Sequence, residues 1–187
     1  MKHSVVRETI VETAANLFYQ KGYNLTGINE IIREAGIAKA TLYNHFKSKE
    51  DICVAYLDYL NKSFLSDIEH FSASKSSGNS QILALFDFLE AFFFSEEFNG
   101  CWCLNTLSEI PRDNEKIRNE IQKEKRELLH LIVRLLETNF PGKDKKEVDA
   151  LSKKIYLIYE SAILESHLQQ EVWPITTAKE IINTLLS

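Results

Sequence analysis

Residues 26–49 read TGINEIIREAGIAKATLYNHFKSK, and this stretch decides how the rest of the chain is interpreted. Its apolar residues recur at helical spacing on both sides of Gly36, which predicts two short helices joined by a tight turn. Thr26 is expected to be the N-cap of the first helix, because its hydroxyl can accept a hydrogen bond from the first turn. Leu42 and Phe46 share one face of the second helix and leave the opposite face to polar side chains. The pattern predicts a helix-turn-helix, whose second helix can enter a DNA major groove.

The wider segment AANLFYQKGYNLTGINEIIREAGIAKATLYNHFKSKEDI, residues 14–52, resembles the N-terminal domain of the TetR family of transcriptional regulators. Many positions match the family pattern in one register, which makes the resemblance more specific than a bare helix-turn-helix match. The matching positions are Ala14, Ala15, Leu17, Phe18, Gly22, Thr26, Ile32, Ala35, Gly36, Thr41, Leu42, Tyr43, His45, Phe46, Ser48, Lys49 and Glu50.

Three positions depart from the usual family pattern, and they are Gly27, Ala38 and Ala40. Ala38 stands where a serine commonly caps the recognition helix, and the missing cap is worth about 1 kcal/mol. None of the three removes the polar face of the helix. We therefore expect the three departures to change which operator sequence is recognised and not to abolish DNA binding.

The resemblance and the chemistry of the side chains predict the same set of DNA contacts. Lys39 and Thr41 lie near the start of the recognition helix, where base edges are reached. Tyr43 and His45 can donate to phosphate oxygens, although Tyr43 could instead edge the core and His45 could be a packed histidine. The predicted DNA-contacting residues are Thr26, Lys39, Ala40, Thr41, Tyr43, Asn44, His45 and Lys49.

The charge of the chain is divided unevenly. Residues 1–49 hold seven basic and four acidic side chains, a net charge of +3, and the total of −5 leaves −8 for the remainder. A basic head on an acidic body is the footprint of nucleic-acid binding, although +3 alone is within chance variation.

Composition indicates a soluble globular protein of one or two domains. No apolar run approaches the length of a membrane span, and the first residues lack a secretory signal, so neither a membrane nor export is expected. Three cysteines are typical of free thiols in a reducing cytoplasm, where we expect the protein to be. Metalloprotease, phosphate-loop and nucleophile-elbow motifs are absent from the sequence, which predicts no enzyme, no cofactor and no metal site.

Helical periodicity continues to the end of the chain and predicts an all-α fold of about nine helices. We expect a three-helix DNA-binding domain over residues 1–47 and a helical ligand-binding and dimerisation domain over residues 48–187. WPIT, residues 173–176, is expected to break the chain before a last helix from Thr176 to Leu186. The last two helices carry more apolar residues than one buried face needs, which favours a homodimer interface over burial within one chain.

The resemblance implies a pocket for a small-molecule effector in the helical body, because family members commonly release DNA when a ligand binds there. The predicted ligand-binding residues are Tyr59, Phe64, Phe86, Phe93 and Trp102, and for each of them a role in the core is the alternative. Cys101 is a redox candidate, since it follows Asn-Gly at a predicted helix start, where a thiol pKa is lowered. A buried structural cysteine is the alternative.

These observations favour a homodimeric transcriptional regulator, a repressor that binds an inverted-repeat operator and is released by an unknown effector. An electrophile- or redox-sensing regulator that uses Cys101 is the main alternative. A helical interaction module without DNA binding is the third reading.

Overall fold

The computed structural model describes residues 2–187, with side chains described from Val5 onward, and every regular element in that range is an α-helix. The all-α prediction and the predicted number of helices are confirmed for this part of the chain. The helices are α1 (Lys2–Lys21), α2 (Ile28–Glu34), α3 (Lys39–His45), α4 (Lys49–Ala73), α5 (Asn79–Phe93), α6 (Trp102–Glu109), α7 (Glu115–Asn139), α8 (Lys145–Gln169) and α9 (Trp173–Leu186).

The start of the last helix differs from the prediction. WPIT does not break the chain before Thr176, because α9 already begins at Trp173 and holds Pro174 in its first turn. Proline is tolerated there, since the amide N–H that it lacks would have no intrahelical partner. Pro174 and Ile175 are both buried, so the first turn of α9 is also fixed by packing.

The chain divides into two compact units and passes between them three times. The first unit holds the residues up to 63 together with 102–124, and the second holds 64–101 together with 125–187. Helices α1, α2, α3 and α6 therefore belong to the first unit, whereas α5, α8 and α9 belong to the second. The predicted boundary between residues 47 and 48 remains a prediction.

The first unit has an aromatic and aliphatic core. The Phe18 ring meets the Tyr56 ring edge to face, with their centroids 5.4 Å apart. This geometry favours ring pairs beyond the area that they bury. Fully buried aliphatic side chains complete the core, among them Ile10, Ile31, Leu42, Ile52 and Leu57.

The core of the second unit is built where α9 packs against α5 and α8. The Phe86 ring meets the Tyr159 ring edge to face at a centroid distance of 5.6 Å, which joins α5 to α8. The surrounding apolar residues include Ile68, Ile82, Leu85, Leu89, Ile155, Ile175 and Ile182, all fully or almost fully buried.

None of the helices in residues 2–187 combines the length and the apolarity that crossing a membrane would take.

Candidate nucleic-acid interface

The recognition helix α3 separates a buried face from a polar one. Leu42 and the following Phe46 are buried and anchor the helix in the first unit. Lys39, Tyr43 and Asn44 are exposed on the other side. The helix therefore offers an ammonium group, a phenol and an amide to the solvent at adjacent positions on one surface.

The turn before α3 is the one that the sequence predicts. Gly36 has a φ of +63°, in the left-handed region that glycine adopts without steric cost. The Ile37 N–H donates to the Ile32 carbonyl at 3.2 Å, so the backbone bonds that close α2 continue into the turn. The α2–turn–α3 arrangement is a helix-turn-helix, which confirms the motif.

The start of α3 has no side-chain cap. Ala38 is the N-cap residue, with extended backbone (φ −76°, ψ 150°), and its methyl group accepts no hydrogen bond. The first amide groups of α3 are therefore left without a side-chain acceptor from this position.

Thr26 does not cap α2, and this prediction is wrong. The N-cap is Gly27, and the Thr26 side chain is fully buried. Its hydroxyl donates to the Gly22 carbonyl at 2.9 Å and to the Leu17 carbonyl at 3.2 Å. Thr26 thus closes the C-terminus of α1, and its hydroxyl faces inward, where no phosphate can reach it.

The other predicted contacts differ in exposure. Ala40 is exposed beside Lys39, whereas Thr41 and His45 are half-buried. The half-buried position of His45 favours the packed alternative for this residue more than it does for Tyr43, whose side chain is 44% exposed. The DNA contacts of all these residues remain predictions.

Lys49 is the first residue of α4, and an aromatic ring holds its ammonium group. The Nζ atom lies 4.3 Å from the centroid of the Tyr23 ring, a cation–π contact. Partial burial lowers the pKa of Lys49, and burial raises the pKa of Tyr23 to about 12. The contact fixes where the cation stands at the start of α4, next to the recognition helix.

The sequence reading missed the contribution of α6 to this site. The Glu109 carboxylate accepts the backbone N–H of Asn24 at 2.6 Å, and the Glu109 carbonyl accepts Nδ2 of Asn24 at 2.9 Å. Gly22 has a φ of +96°, and a Cβ there would lie 2.6 Å from the Glu109 carboxylate. Since 85 residues separate the partners, no local pattern could have indicated this clamp.

A second pair of contacts from the same segment reaches the start of α4. Nδ2 of Asn114 donates to the Glu50 carboxylate at 2.7 Å, and Lys116 forms an ion pair with Asp51. The hydrogen bond from Lys116 holds the pKa of Asp51 below its ordinary value. The segment from Glu109 to Lys116 therefore fixes both the turn before α2 and the start of α4.

Each aromatic residue predicted to bind a ligand has a distinct environment within its own unit. In the second unit, Phe64 packs on Phe88 at 5.9 Å between centroids, and Phe93 packs on Phe98 at 5.2 Å. Phe86 is buried against Tyr159, as described above.

In the first unit, Tyr59 is 41% exposed. The indole N–H of Trp102 donates to the carboxylate of Glu124 at 3.1 Å. An effector pocket lined by the predicted aromatic residues remains a prediction.

All three cysteines are reduced, and all three are buried. Cys101 receives a hydrogen bond from Nζ of Lys125 at 3.2 Å, whereas Cys103 donates to the carboxylate of Glu124 at 3.1 Å. Burial raises the pKa of Cys53 far above its ordinary value. The Cys101 thiol therefore lies within hydrogen-bond distance of an ammonium group.

Comparison with known proteins adds the family to this geometry. The family model of bacterial regulatory proteins, tetR family, matches residues 10–56, which include the helix-turn-helix. The chain carries the N-terminal DNA-binding domain of the TetR family of transcriptional regulators. TetR-family proteins are DNA-binding regulators, not enzymes.

Two relatives of this TetR-family chain align over almost its full length. An uncharacterised helix-turn-helix regulator of Bacillus subtilis, YxaF, is 28% identical over 96% of this chain and 94% of its own. IcaR of Staphylococcus aureus, a negative regulator of the biofilm operon icaADBC, is 27% identical over 93% of this chain and 91% of its own.

The fold also agrees with a solved structure of the family. SCO4454, a TetR-family regulator of Streptomyces coelicolor, superposes with a TM-score of 0.85 at 24% identity and covers 98% of this chain and 95% of its own. The TetR fold therefore extends beyond the matched N-terminal residues.

Proposed function

We propose that this TetR-family chain is a homodimeric repressor that binds an inverted-repeat operator and is released by a small-molecule effector in its helical body. The exposed polar face of α3 is the observation that carries the proposal. It is the surface that a helix-turn-helix presents to base edges in a major groove.

Roles within that face follow from the reach of each side chain. Lys39 is at the N-terminal end of α3, where a long cationic side chain can approach guanine acceptors in the major groove. Tyr43 and Asn44 lie one turn further along, where a phenol or an amide can donate to phosphate oxygens. The base contacts of Lys39 and the phosphate contacts of Tyr43 and Asn44 would together fix the position of α3 along the DNA.

Exposed leucines on α8 support a two-fold dimer. Leu157, Leu164 and Leu168 repeat at intervals of seven and four residues, so they lie along one side of the helix, and each is at least half exposed. Ile181 and Leu185 add a second exposed apolar pair on α9. Contiguous exposed apolar surface of this kind is typical of an interface. A dimer would present two recognition helices to two half-sites.

Repression is the sign of regulation that the relatives support. IcaR is described as a negative regulator, and it aligns with nearly the whole of this chain. Release would follow by population shift, because an effector that binds one arrangement of the dimer more tightly lowers the population of the DNA-binding arrangement.

Selection of random duplex DNA on the purified protein, repeated at two salt concentrations, tests the proposal. We expect an enriched inverted repeat whose half-sites are one helical turn apart, with affinity that falls steeply as salt rises. Retention without any enriched sequence would overturn specific operator binding. No retention of DNA at either salt concentration would instead favour a helical interaction module.

The contact between Lys125 and Cys101 favours a second candidate, a thiol-based electrophile sensor on the same scaffold. A nearby ammonium group stabilises a thiolate, which is the nucleophilic form of cysteine. In the reaction, the thiolate adds to an activated carbon–carbon double bond, a C–S bond forms, and the adjacent carbon takes up a proton from water.

Treatment with N-ethylmaleimide separates the two candidates. The sensor reading expects mass-spectrometric labelling of Cys101 before Cys53, with loss of operator binding that Cys101→Ser prevents. If Cys101→Ser loses operator binding on treatment as fast as the parent chain does, the sensor reading is wrong.

A further inference from the structure

A cluster of polar side chains is buried in the second unit, apart from the recognition helix. Nζ of Lys125 on α7 donates to both carboxylate oxygens of Glu160 on α8 at 2.8 Å, and the side chains are only 19% and 15% exposed. The same ammonium group contacts Cys101 at 3.2 Å. Tyr159, next to Glu160 in the chain, is buried among these charges.

The Tyr159 hydroxyl makes this cluster unusual. The side chain is 1% exposed, and its hydroxyl has no hydrogen-bond partner among the described residues. Buried hydroxyl groups are nearly always paired, and one that is left unpaired destabilises the folded state. A buried ion pair is also weak evidence for stability, because desolvation offsets the attraction between its charges. Folding alone therefore gives no reason for this combination.

Burial raises the pKa of Glu160 above its ordinary value, although Lys125 opposes the shift. Its carboxylate is thus a poorly stabilised partner that another anion could replace at the ammonium group. Groups with shifted pKa values in the interior of a ligand-binding fold are candidates for a functional site.

We propose that Lys125 and Tyr159 bind the effector, and that the effector is a small planar molecule with an ionised oxygen, a carboxylate or a phenolate. The effector anion takes the place of Glu160 at Nζ of Lys125 and accepts the hydrogen bond that the Tyr159 hydroxyl now lacks. Phe86, whose ring packs against the Tyr159 ring, would provide an apolar side chain next to a planar ligand. The inference rests on the proposed effector-released function and names the class of ligand.

Salicylate, which is planar and anionic, is the probe, and uncharged salicylamide is its matched control. Binding is measured by titration calorimetry on the full chain, and we expect heat from salicylate and none from salicylamide at the same concentration. If salicylate gives no binding heat with the parent chain, the proposal is wrong.

Two variants break the same ion pair and distinguish ligand binding from a structural role. Lys125→Gln should weaken salicylate binding at least tenfold, because it removes the cation, whereas Glu160→Gln should tighten it several-fold, because it removes the competing anion. A purely structural role would shift both variants in one direction or in neither, and that result would overturn the proposal.

Tyr159→Phe removes only the hydroxyl and should weaken salicylate binding about threefold to tenfold. Lys153→Gln is the matched control, since Lys153 pairs with Asp149 on the exposed side of α8 and should leave binding unchanged. Equal binding by Tyr159→Phe and the parent chain would contradict the assigned role of the hydroxyl.

Circular dichroism verifies that each variant is folded. If Lys125→Gln alone does not fold, the double variant Lys125→Met/Glu160→Leu replaces both charges with apolar groups and should fold without binding salicylate. If the double variant binds as the parent chain does, the site is wrong.

Failure of this inference is distinguishable from failure of the proposed function. If the chain selects an operator but all variants bind salicylate equally, the proposed repressor function is supported and the proposed ligand site is wrong. If the variants change salicylate binding as expected but the chain selects no DNA sequence, the ligand site is supported and specific operator binding is wrong.

Discussion

The carboxylate of Glu109, the last residue of α6, accepts the backbone N–H of Asn24, in the turn that leads into α2, at 2.6 Å. A hydrogen bond to a charged acceptor typically contributes about 1.5–3 kcal/mol, and less where it is solvent-exposed as here. Glu109→Ala should therefore lower the free energy of unfolding by about 1 kcal/mol and weaken operator binding, because the turn before the reading helices loosens.

Urea unfolding and a DNA titration measure the two effects of Glu109→Ala. Glu171→Ala, which removes an exposed carboxylate in the second unit, is the control and should change neither quantity. Operator affinity that stays at the parent value in Glu109→Ala would show that the clamp does not support DNA binding.

Tyr43→Phe should weaken binding to the operator and to unrelated duplex DNA by the same factor, about threefold to tenfold, because it removes one hydrogen bond to the DNA backbone. Fluorescence anisotropy on both duplexes is the measurement. Tyr59→Phe removes the hydroxyl of a similarly exposed tyrosine outside the helix-turn-helix and should leave both affinities unchanged. A loss confined to the operator would contradict the phosphate role of Tyr43.

Ala38→Ser should stabilise the chain by about 1 kcal/mol, because a serine hydroxyl at an N-cap can accept a free amide N–H of the first turn. The extended backbone of Ala38 is already that of an N-cap residue. Chemical denaturation measures the gain. Ala40→Ser, two positions further inside α3, is the control and should stay within about 0.5 kcal/mol of the parent chain. Equal effects of the two substitutions would mean that no cap forms.

Leu168→Glu should dissociate the dimer, because the proposed interface would bury the new charge. The dissociation constant should rise at least a hundredfold, about 2.7 kcal/mol. Light scattering during size-exclusion chromatography reports the mass at several concentrations. Gln169→Glu adds the same charge at the next exposed position and should remain dimeric. An unaltered dimer in Leu168→Glu would place the interface elsewhere.

Glu160→Gln should change how stability depends on pH. The folded pKa of Glu160 is raised above its ordinary value of 4.5. Its contribution to the free energy of unfolding is therefore full below pH 4.5 and is lost as the pH rises through the folded pKa. As the pH rises through the folded pKa of Glu160, the free energy of unfolding of the parent chain should therefore fall relative to that of Glu160→Gln.

Urea unfolding of both chains at several pH values measures the difference. Glu137→Gln, at an exposed carboxyl, should run parallel to the parent chain. Parallel curves for Glu160→Gln as well would show that its carboxyl titrates alike in the folded and unfolded chains.

Local signals explain which parts of the site could be predicted from the sequence. The turn at Gly36 could be predicted because it needs a positive φ, and the burial of Leu42 could be predicted from helical spacing. Both signals act over a few residues. Thr26 was misassigned because a hydroxyl can donate as well as accept, and its partner was chosen by the packing of α1 against α2. The pairing of Lys125 with Glu160 joins two helices, so the spacing on either helix does not reveal it.

The three passages of the chain between its two units bear on how the DNA-binding head can be used as a separate part. A fragment that ends at residue 47 would lack α6 and the start of α7, and with them Glu109, Asn114 and Lys116. Helices α2 and α3 would keep the turn between them. They would lose the Glu109 carboxylate that accepts the Asn24 N–H, together with the rest of the first unit. We therefore expect chimeras with other regulators to keep a stable recognition element only when they exchange residues 102–124 together with the N-terminal residues.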